Sequence, residues 1–438
     1  METQVPLRIA SILINALKGG VVPRIGLEYI TVGRTQEIAA ILHDIEIIAD
    51  GSASFRFIVG KYGSGKSFLL QTIRNYATAK GFAVVDADLS PERRFTGTKG
   101  QGLATYKELI QNLSTKSKPD GGALPLILEK WIFGIKASVK TQSEAEGDEF
   151  DLLVEKQIYT VASSLEGMVN GFEFAKAIVT YWRAYCQDDI VKKSNVLKWF
   201  RGEYASRKEA KEDLGINFIV TDETWYDFLK IFAIFLVNAG YKGMLVIIDE
   251  LVNIFKISNS ITRQNNYEKI LTMYNDVLQG KAKHIGFLMG GTPQCIEDKY
   301  KGVFSYEALR SRLAEGHFST GDLKDLSAPI IRLQMLMQEE MYVLVEKLRD
   351  IHAKLYNYIP SIGHDELVYF LTVEYNRVGA ETHITPREII RDFIELANIL
   401  HQNPQKSMSE ILGSNNFQMA KGGITEEEIH ADFQEFEV

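Results

Sequence analysis

The stretch FIVGKYGSGKSFLLQTI, residues 57–73, decides how this chain is read. A short apolar run ending in Gly60 delivers the chain into the spacing Gly60-x-x-x-x-Gly65-Lys66-Ser67, and apolar residues at helical spacing follow. Strand, glycine loop and helix in that order are the context a phosphate-cradling loop needs. The glycines leave backbone N–H groups uncovered, and those groups together with the start of the next helix attract a β-phosphate. The candidate phosphate-binding set is therefore Gly60, Lys61, Tyr62, Gly63, Ser64, Gly65, Lys66, Ser67 and Phe68. Lys66 would reach the β- and γ-phosphates, and the Ser67 hydroxyl would ligate Mg²⁺. The bland alternative is a chance glycine-rich turn.

Working outward, FAVVDADL (82–89) reads as a second buried strand. Strand, loop, helix and strand form a βαβ unit, which implies a parallel sheet with both faces covered. Upstream, residues 5–18 have helical spacing, GGVVPRIGLEYITVG (19–33) reads as a punctuated loop, and residues 34–51 read as a helix closed by Gly51. Residues 103–240 are mainly helical in pattern, interrupted by the polar, acidic KTQSEAEGDEFD (140–151), expected as an exposed loop. Strand patterns return at GMLVIIDEL (243–251) and HIGFLMGGTP (284–293), and helical patterns follow at 334–355, 365–379 and 385–400. The last stretch is acidic with few apolar anchors and is expected to be a mobile tail.

Composition sets limits. The 438 residues are 45% hydrophobic, enough for more than one core. Net charge is −8, so any attraction to nucleic acid must come from a local patch. Two cysteines, Cys186 and Cys295, offer no metal-binding pairs and suggest a reducing compartment. No apolar run reaches the length of a membrane span, so a cytoplasmic protein with no membrane partner is expected.

Other residues join the candidate site. MLVIIDEL ends an apolar run in Asp249-Glu250, at the carboxyl edge of a parallel strand, where ligands bind in open α/β sheets. Asp249 would hold Mg²⁺ and Glu250 would act as general base toward the attacking water; an acidic turn after a core strand is the alternative. Thr292, after Gly290 and Gly291, would orient that water or sense the γ-phosphate, or simply end a strand. Arg310 and Arg312 in YEALRSRLAEG are candidates for an arginine delivered across a subunit boundary, Arg312 first, or for a solvated helix face. In ITPREIIRDFIELA, Thr385 caps a helix with Pro386 in its first position and Glu388 at the capping-box position, which projects Arg387 from the first turn as a γ-phosphate sensor or a plain surface arginine. Gly33-Arg34 precedes a helix that would line an adenine pocket.

The order of VGRTQEI, GKYGSGKS, LVIIDE, FLMGGTP, ALRSRL and TPREIIR resembles that of an AAA+ ATPase. The branch is similar to the one holding replication initiators of the origin-recognition type and the STAND ATPases. The chain is most similar to the ATP-binding proteins of bacterial BREX (bacteriophage exclusion) defence operons, the BrxC/BrxD type and its BrxD branch. That resemblance implies Walker A at Lys66 and Ser67, Walker B at Asp249 and Glu250, sensor 1 at Thr292, an arginine finger at Arg312 and sensor 2 at Arg387. It implies ATP and Mg²⁺ as cofactors and an α/β P-loop core with a parallel sheet, a large helical insertion and a C-terminal helical lid. The expected divisions are 1–102 (N-terminal helix and first half of the core), 103–240 (helical insertion), 241–330 (second half of the core), 331–402 (lid) and 403–438 (tail).

Two functional readings follow. One is an ATP-hydrolysing enzyme that forms an ATP-dependent homo-oligomer, a ring, and acts on double-stranded DNA in an antiviral defence system, beside operon partners such as a helicase. The other is a STAND-like ATP-gated switch, or a loader recruiting a helicase or nuclease, whose turnover is indifferent to DNA. Basic stretches at 90–95, 189–211 and 280–284 are candidate phosphate contacts or solvated faces, the second because it mixes aromatics with Lys and Arg.

Overall fold

A computed structural model describes residues 5–166, 168, 170–314, 325–377 and 384–413. The chain divides into two compact units. One comprises Ala39–Val59 and Ile73–Ile331, the other Met1–Ile38, Gly60–Thr72 and Arg332–Val438.

The first unit carries the sheet except Gly60 and Arg332–Leu333, which fall in the second. Its strands are β1 (Ala53–Gly60), β2 (Ala83–Asp88), β3 (Met244–Asp249), β4 (Ile285–Gly291) and β5 (Ile330–Leu333), in the spatial order β2-β3-β4-β1-β5. The ladders β2–β3, β3–β4 and β4–β1 are parallel. The strand sequences are near-continuous apolar runs because both faces are covered: Phe57, Val85, Val246, Ile248 and Met289 have essentially no exposure. Register pairs Asp88 with Asp249 and Val59 with Gly291, so the carboxyl ends of four strands stand along one edge. The edge strand β2 is covered by residue Ser114, whose N–H and C=O both bond to Val84.

The helical stretch after β2 is not an appended domain. Its buried residues belong to the same hydrophobic cluster as the strands. Phe174 lies 5.0 Å from both Phe200 and Phe232, and Trp131 stacks edge-on to Phe235 at 5.3 Å, so rings from four helices interlock. Edge-to-face pairs of this kind favour one arrangement over others. The helix Trp225–Asn238, buried along most of its length, leads directly toward β3. The start of the helix Gln101–Gln111 is held by Asp222. One carboxylate oxygen accepts from the Gly102 and Leu103 amides (2.6 and 3.1 Å), the other from the Thr96 hydroxyl and Gly97 amide (2.9 Å each). The negative charge suits the helix N-terminus.

Three differences from the sequence expectations have local causes. The exposed loop expected over 140–151 shrinks to residues 143–146, because helices Leu124–Gln142 and Gly147–Glu166 extend into it. Asp148 and Glu149 lie in the first turn of the second helix, where the helix dipole favours acids. The helix Ser260–Leu278 escaped the periodicity because its buried side includes Arg263, Asn266 and Tyr267 beside Ile270 and Met273. The strand β5 is only four residues long.

The second unit packs the N-terminal helix Leu7–Lys18 into the C-terminal helices Gln338–Tyr356, His364–Arg377 and Pro386–Gln402. Ala10, Leu13, Ile14 and Leu17 share one core with Met341, Val345, Leu348 and Phe393. A short helix, Leu27–Ile30, interrupts the loop expected over 19–33. Part of the expected tail is structured: the helix Met408–Leu412 is capped by Ser407 and buries Met408, while residues beyond 413 lie outside the described ones. No helix among the described residues is long and apolar enough to cross a membrane.

Candidate functional site

The phosphate loop belongs to the unit of the N- and C-terminal helices. It needs glycine at three positions for three different reasons. At Gly60 an added Cβ would lie 2.2 Å from Ser64 Oγ and 3.1 Å from the backbone oxygen of Leu333, a residue of the same unit, so the loop closes on itself and on Leu333. At Gly63, φ is +79° and a Cβ would lie 2.8 Å from Thr385 Cγ2. At Gly65, φ is +85° and a Cβ would meet nothing within 4 Å. That position therefore faces open space, with a backbone conformation L side chains rarely adopt.

The loop's polar groups fit a phosphate guest. Lys66 Nζ donates to the Gly60 and Lys61 carbonyls at 2.9 and 3.1 Å, which holds the ammonium over the loop. Ser64 is buried, and its Oγ has no hydrogen-bond partner among the described residues. Buried hydroxyls are seldom left without a partner, and a phosphate oxygen would supply one. The helix Lys66–Ala79 starts directly after Gly65 and directs its first amides toward the loop. Ser67 stands in its first turn, where the sequence placed it, and Phe68 packs against the core of this unit. Tyr62 is 60% exposed.

Two further segments of this unit meet the loop. The helix Pro386–Gln402 begins with Thr385 as N-cap, Pro386 in the first position and Glu388 returning its carboxylate to the Thr385 N–H at 2.8 Å, as the sequence indicated. That cap packs on Gly63. The exposed Arg387 donates from NH1 to the Tyr62 hydroxyl at 3.4 Å, so the expected sensor arginine reaches the loop in this unit. Arg34 also meets the loop. It is buried, and its NH2 donates to the Ser64 carbonyl at 2.9 Å and to the Gln334 carbonyl at 2.5 Å. The sequence carried one signal of this, an arginine directly after a glycine whose missing side chain admits Glu340.

The sheet unit holds the other candidates. Asp249 ends β3, and its Oδ1 accepts from the Glu250 N–H at 2.8 Å. Glu250 is exposed and has φ +62°, in the left-handed region. Such a conformation in a residue other than glycine costs about 1–2 kcal/mol and concentrates at functional positions. Asp88, which the sequence reading passed over, stands in register beside Asp249. Burial, then the facing charges of Asp249 and Asp86, push its carboxyl above the usual range. Both strands end in Asp, the one signal available beforehand. Thr292 is the N-cap of the short helix Pro293–Glu297, its Oγ1 accepting from the Cys295 N–H at 3.3 Å. Arg312 is exposed on the helix Glu307–Leu313 and donates to the Ala308 carbonyl of its own helix at 2.8 Å, while Arg310 lies 3.9 Å from Glu307.

Four of the seven basic residues in 189–211 pair with acidic neighbours. Lys193, Lys198, Arg201 and Lys208 pair with Asp188, Glu209, Glu203 and Glu212. Trp199 and Phe200, the aromatics that suggested base stacking, are 1% exposed core residues. Arg93 donates to the Asp88 carbonyl, whereas Lys99, Lys281 and Lys283 are exposed.

No curated protein matches the chain. The family described as BREX system ATP-binding protein BrxC/D matches residues 5–416. With a phosphate loop of this geometry and a match over nearly its whole length, the chain belongs to the BrxC/D family of BREX system ATP-binding proteins.

Proposed function

We propose that this protein hydrolyses ATP to ADP and phosphate, and that turnover drives its role in the defence system. The observation that carries this reading is the Asp249-Glu250 pair. It ends β3 at the sheet edge where β1 also ends, with β4 between them, and β1 runs straight into the phosphate loop. The strained backbone at Glu250 adds support.

In this reading the amides of residues 63–67 and Lys66 hold the β- and γ-phosphates. Glu250 accepts a proton from a water that attacks the γ-phosphorus in line. The bond from that phosphorus to the β–γ bridging oxygen breaks, and ADP leaves with the electron pair. Ser67 and Asp249 would hold Mg²⁺, which neutralises charge on the phosphates. Among the described residues no group of three or more His, Cys, Asp or Glu could hold a metal, so Ser67 and Asp249 would hold it together with phosphate oxygens and water. Thr292 would orient the water through its hydroxyl proton. Arg312 of a neighbouring copy in an ATP-dependent ring would stabilise the developing charge, and Arg387 would report the γ-phosphate to the C-terminal helices. Action on DNA rests on the exposed Lys281 and Lys283 of the basic stretch 280–284.

The test is nucleotide binding and steady-state turnover with Lys66→Ala. Loss of both supports the reading. ATP binding that survives unchanged in Lys66→Ala overturns it.

A further inference from the structure

Arg34 is the one buried cation touching the phosphate loop among the described residues, and what it holds is a peptide group. Its NH2 donates to Ser64 O at 2.9 Å. In a trans peptide the C=O and the following N–H point in opposite directions. Drawing the Ser64 oxygen inward to the guanidinium therefore turns the Gly65 N–H away from it. The same nitrogen donates to Gln334 O at 2.5 Å, one residue beyond β5 and four before the helix Gln338–Tyr356.

The charge is built in rather than incidental. Glu37 lies 3.9 Å from NH1. Glu340, in the first turn of Gln338–Tyr356, presses so closely over Gly33 that a Cβ there would lie 2.2 Å from its Oε1. Burial lowers the Arg34 pKa, and the Glu37 and Glu340 charges oppose that shift. A buried arginine with a carboxylate 3.9 Å from its NH1 and two backbone carbonyls on its NH2 is satisfied in this arrangement, which fixes where those carbonyls lie.

We propose that Arg34 is a positioning residue for the phosphate loop: it fixes the Ser64–Gly65 peptide so that the Gly65 N–H faces the bound phosphate, and ties that peptide to the segment from which the C-terminal helices depart. The inference rests on the ATP reading of the loop. Arg34→Lys keeps the charge but has a stem one bond too short to bring its ammonium to the place of NH2, the one nitrogen that donates to both carbonyls.

The experiment measures ATPase KM and kcat for wild type and Arg34→Lys, with hydrogen exchange of residues 60–67 in both nucleotide-free proteins. KM is expected to rise roughly tenfold or more, as for loss of a hydrogen bond from a charged group, with kcat changed far less. Exchange in the loop is expected to quicken. Partial unfolding alone would lower kcat through the active fraction and leave KM in place, so an unchanged KM overturns the proposal. If wild type shows no ATP turnover or binding, the ATP reading fails instead, and loop exchange decides for Arg34: unchanged exchange overturns it. Arg34→Gln, which keeps an amide donor and drops the buried charge, takes the place of Arg34→Lys if that variant does not fold, with the same criteria.

Discussion

Gly63→Ala is a sharp probe of how the phosphate loop is built. Two penalties apply. The φ of +79° places alanine in the left-handed region at about 1–2 kcal/mol. The new Cβ would lie 2.8 and 2.9 Å from Thr385 Cγ2 and Cβ, so the cap must retreat by several tenths of an ångström or the loop must twist. Overpacking of that kind costs about 1–3 kcal/mol. Gly65→Ala is its natural control, because φ is +85° and nothing lies within 4 Å, leaving the backbone penalty alone. Subtracting the two stability losses cancels that penalty, so Gly63→Ala should be the more destabilised by about 1–3 kcal/mol in urea titrations followed by circular dichroism. Thr385→Ser removes Cγ2 and keeps the capping hydroxyl, and should recover part of the difference in a double-mutant cycle. Gly65→Ala should nonetheless abolish ATP binding, since its methyl group stands where the phosphate would lie. Equal stability losses for the two variants, or no recovery with Thr385→Ser, would refute the packing of the helix cap on the loop.

Other outcomes follow from the same geometry. Glu250→Gly should be about 1 kcal/mol more stable than Glu250→Gln, because glycine relaxes the φ of +62° and gives back part of that gain as chain entropy; a less stable glycine variant would contradict the strain. Asp222→Asn turns an amide nitrogen toward two of four donors and should cost about 2–4 kcal/mol of stability by denaturant titration, against a loss below about 0.5 kcal/mol if the hub is unimportant. His352 is buried, with Nδ1 at Tyr358 Oη (2.9 Å), Nε2 at Asn398 Oδ1 (3.2 Å) and His401 nearby; burial first, then His401, lower its pKa against the opposing Asn398 bond. With the folded value below the unfolded ~6.5, the unfolded chain binds more protons between the two, so this contribution is whole above ~6.5 and falls as pH drops below it. His352→Gln should flatten that slope in thermal melts between pH 7.5 and 5.5, and an identical slope in the variant would remove His352 as its source.

Much of this could be read from local sequence because its chemistry is local. Gly60 to Ser67 gave the loop, and Thr385, Pro386 and Glu388 gave a cap with its box, since each depends on fixed short spacing. The apolar runs at 57–59, 244–248 and 285–289 announced buried parallel strands. What stayed hidden depends on tertiary partners. Nothing in Gly33-Arg34 says that the guanidinium is buried against the Ser64 carbonyl. Trp199 and Phe200 look the same in a nucleic-acid patch and in a core until their neighbours are known. The stretch 103–240 could not declare itself part of the sheet's own core, because periodicity shows an apolar face but not what covers it. Asp88 acquired meaning only through its register with Asp249.

The central claim is that the phosphate loop binds ATP and Glu250 hydrolyses it. The most direct measurement is ATP affinity together with single-turnover phosphate release for wild type and Glu250→Gln. The account predicts that Glu250→Gln binds ATP about as tightly as wild type and releases phosphate ~100-fold or more slowly, the scale of a lost general base. Release at the wild-type rate from Glu250→Gln would contradict it.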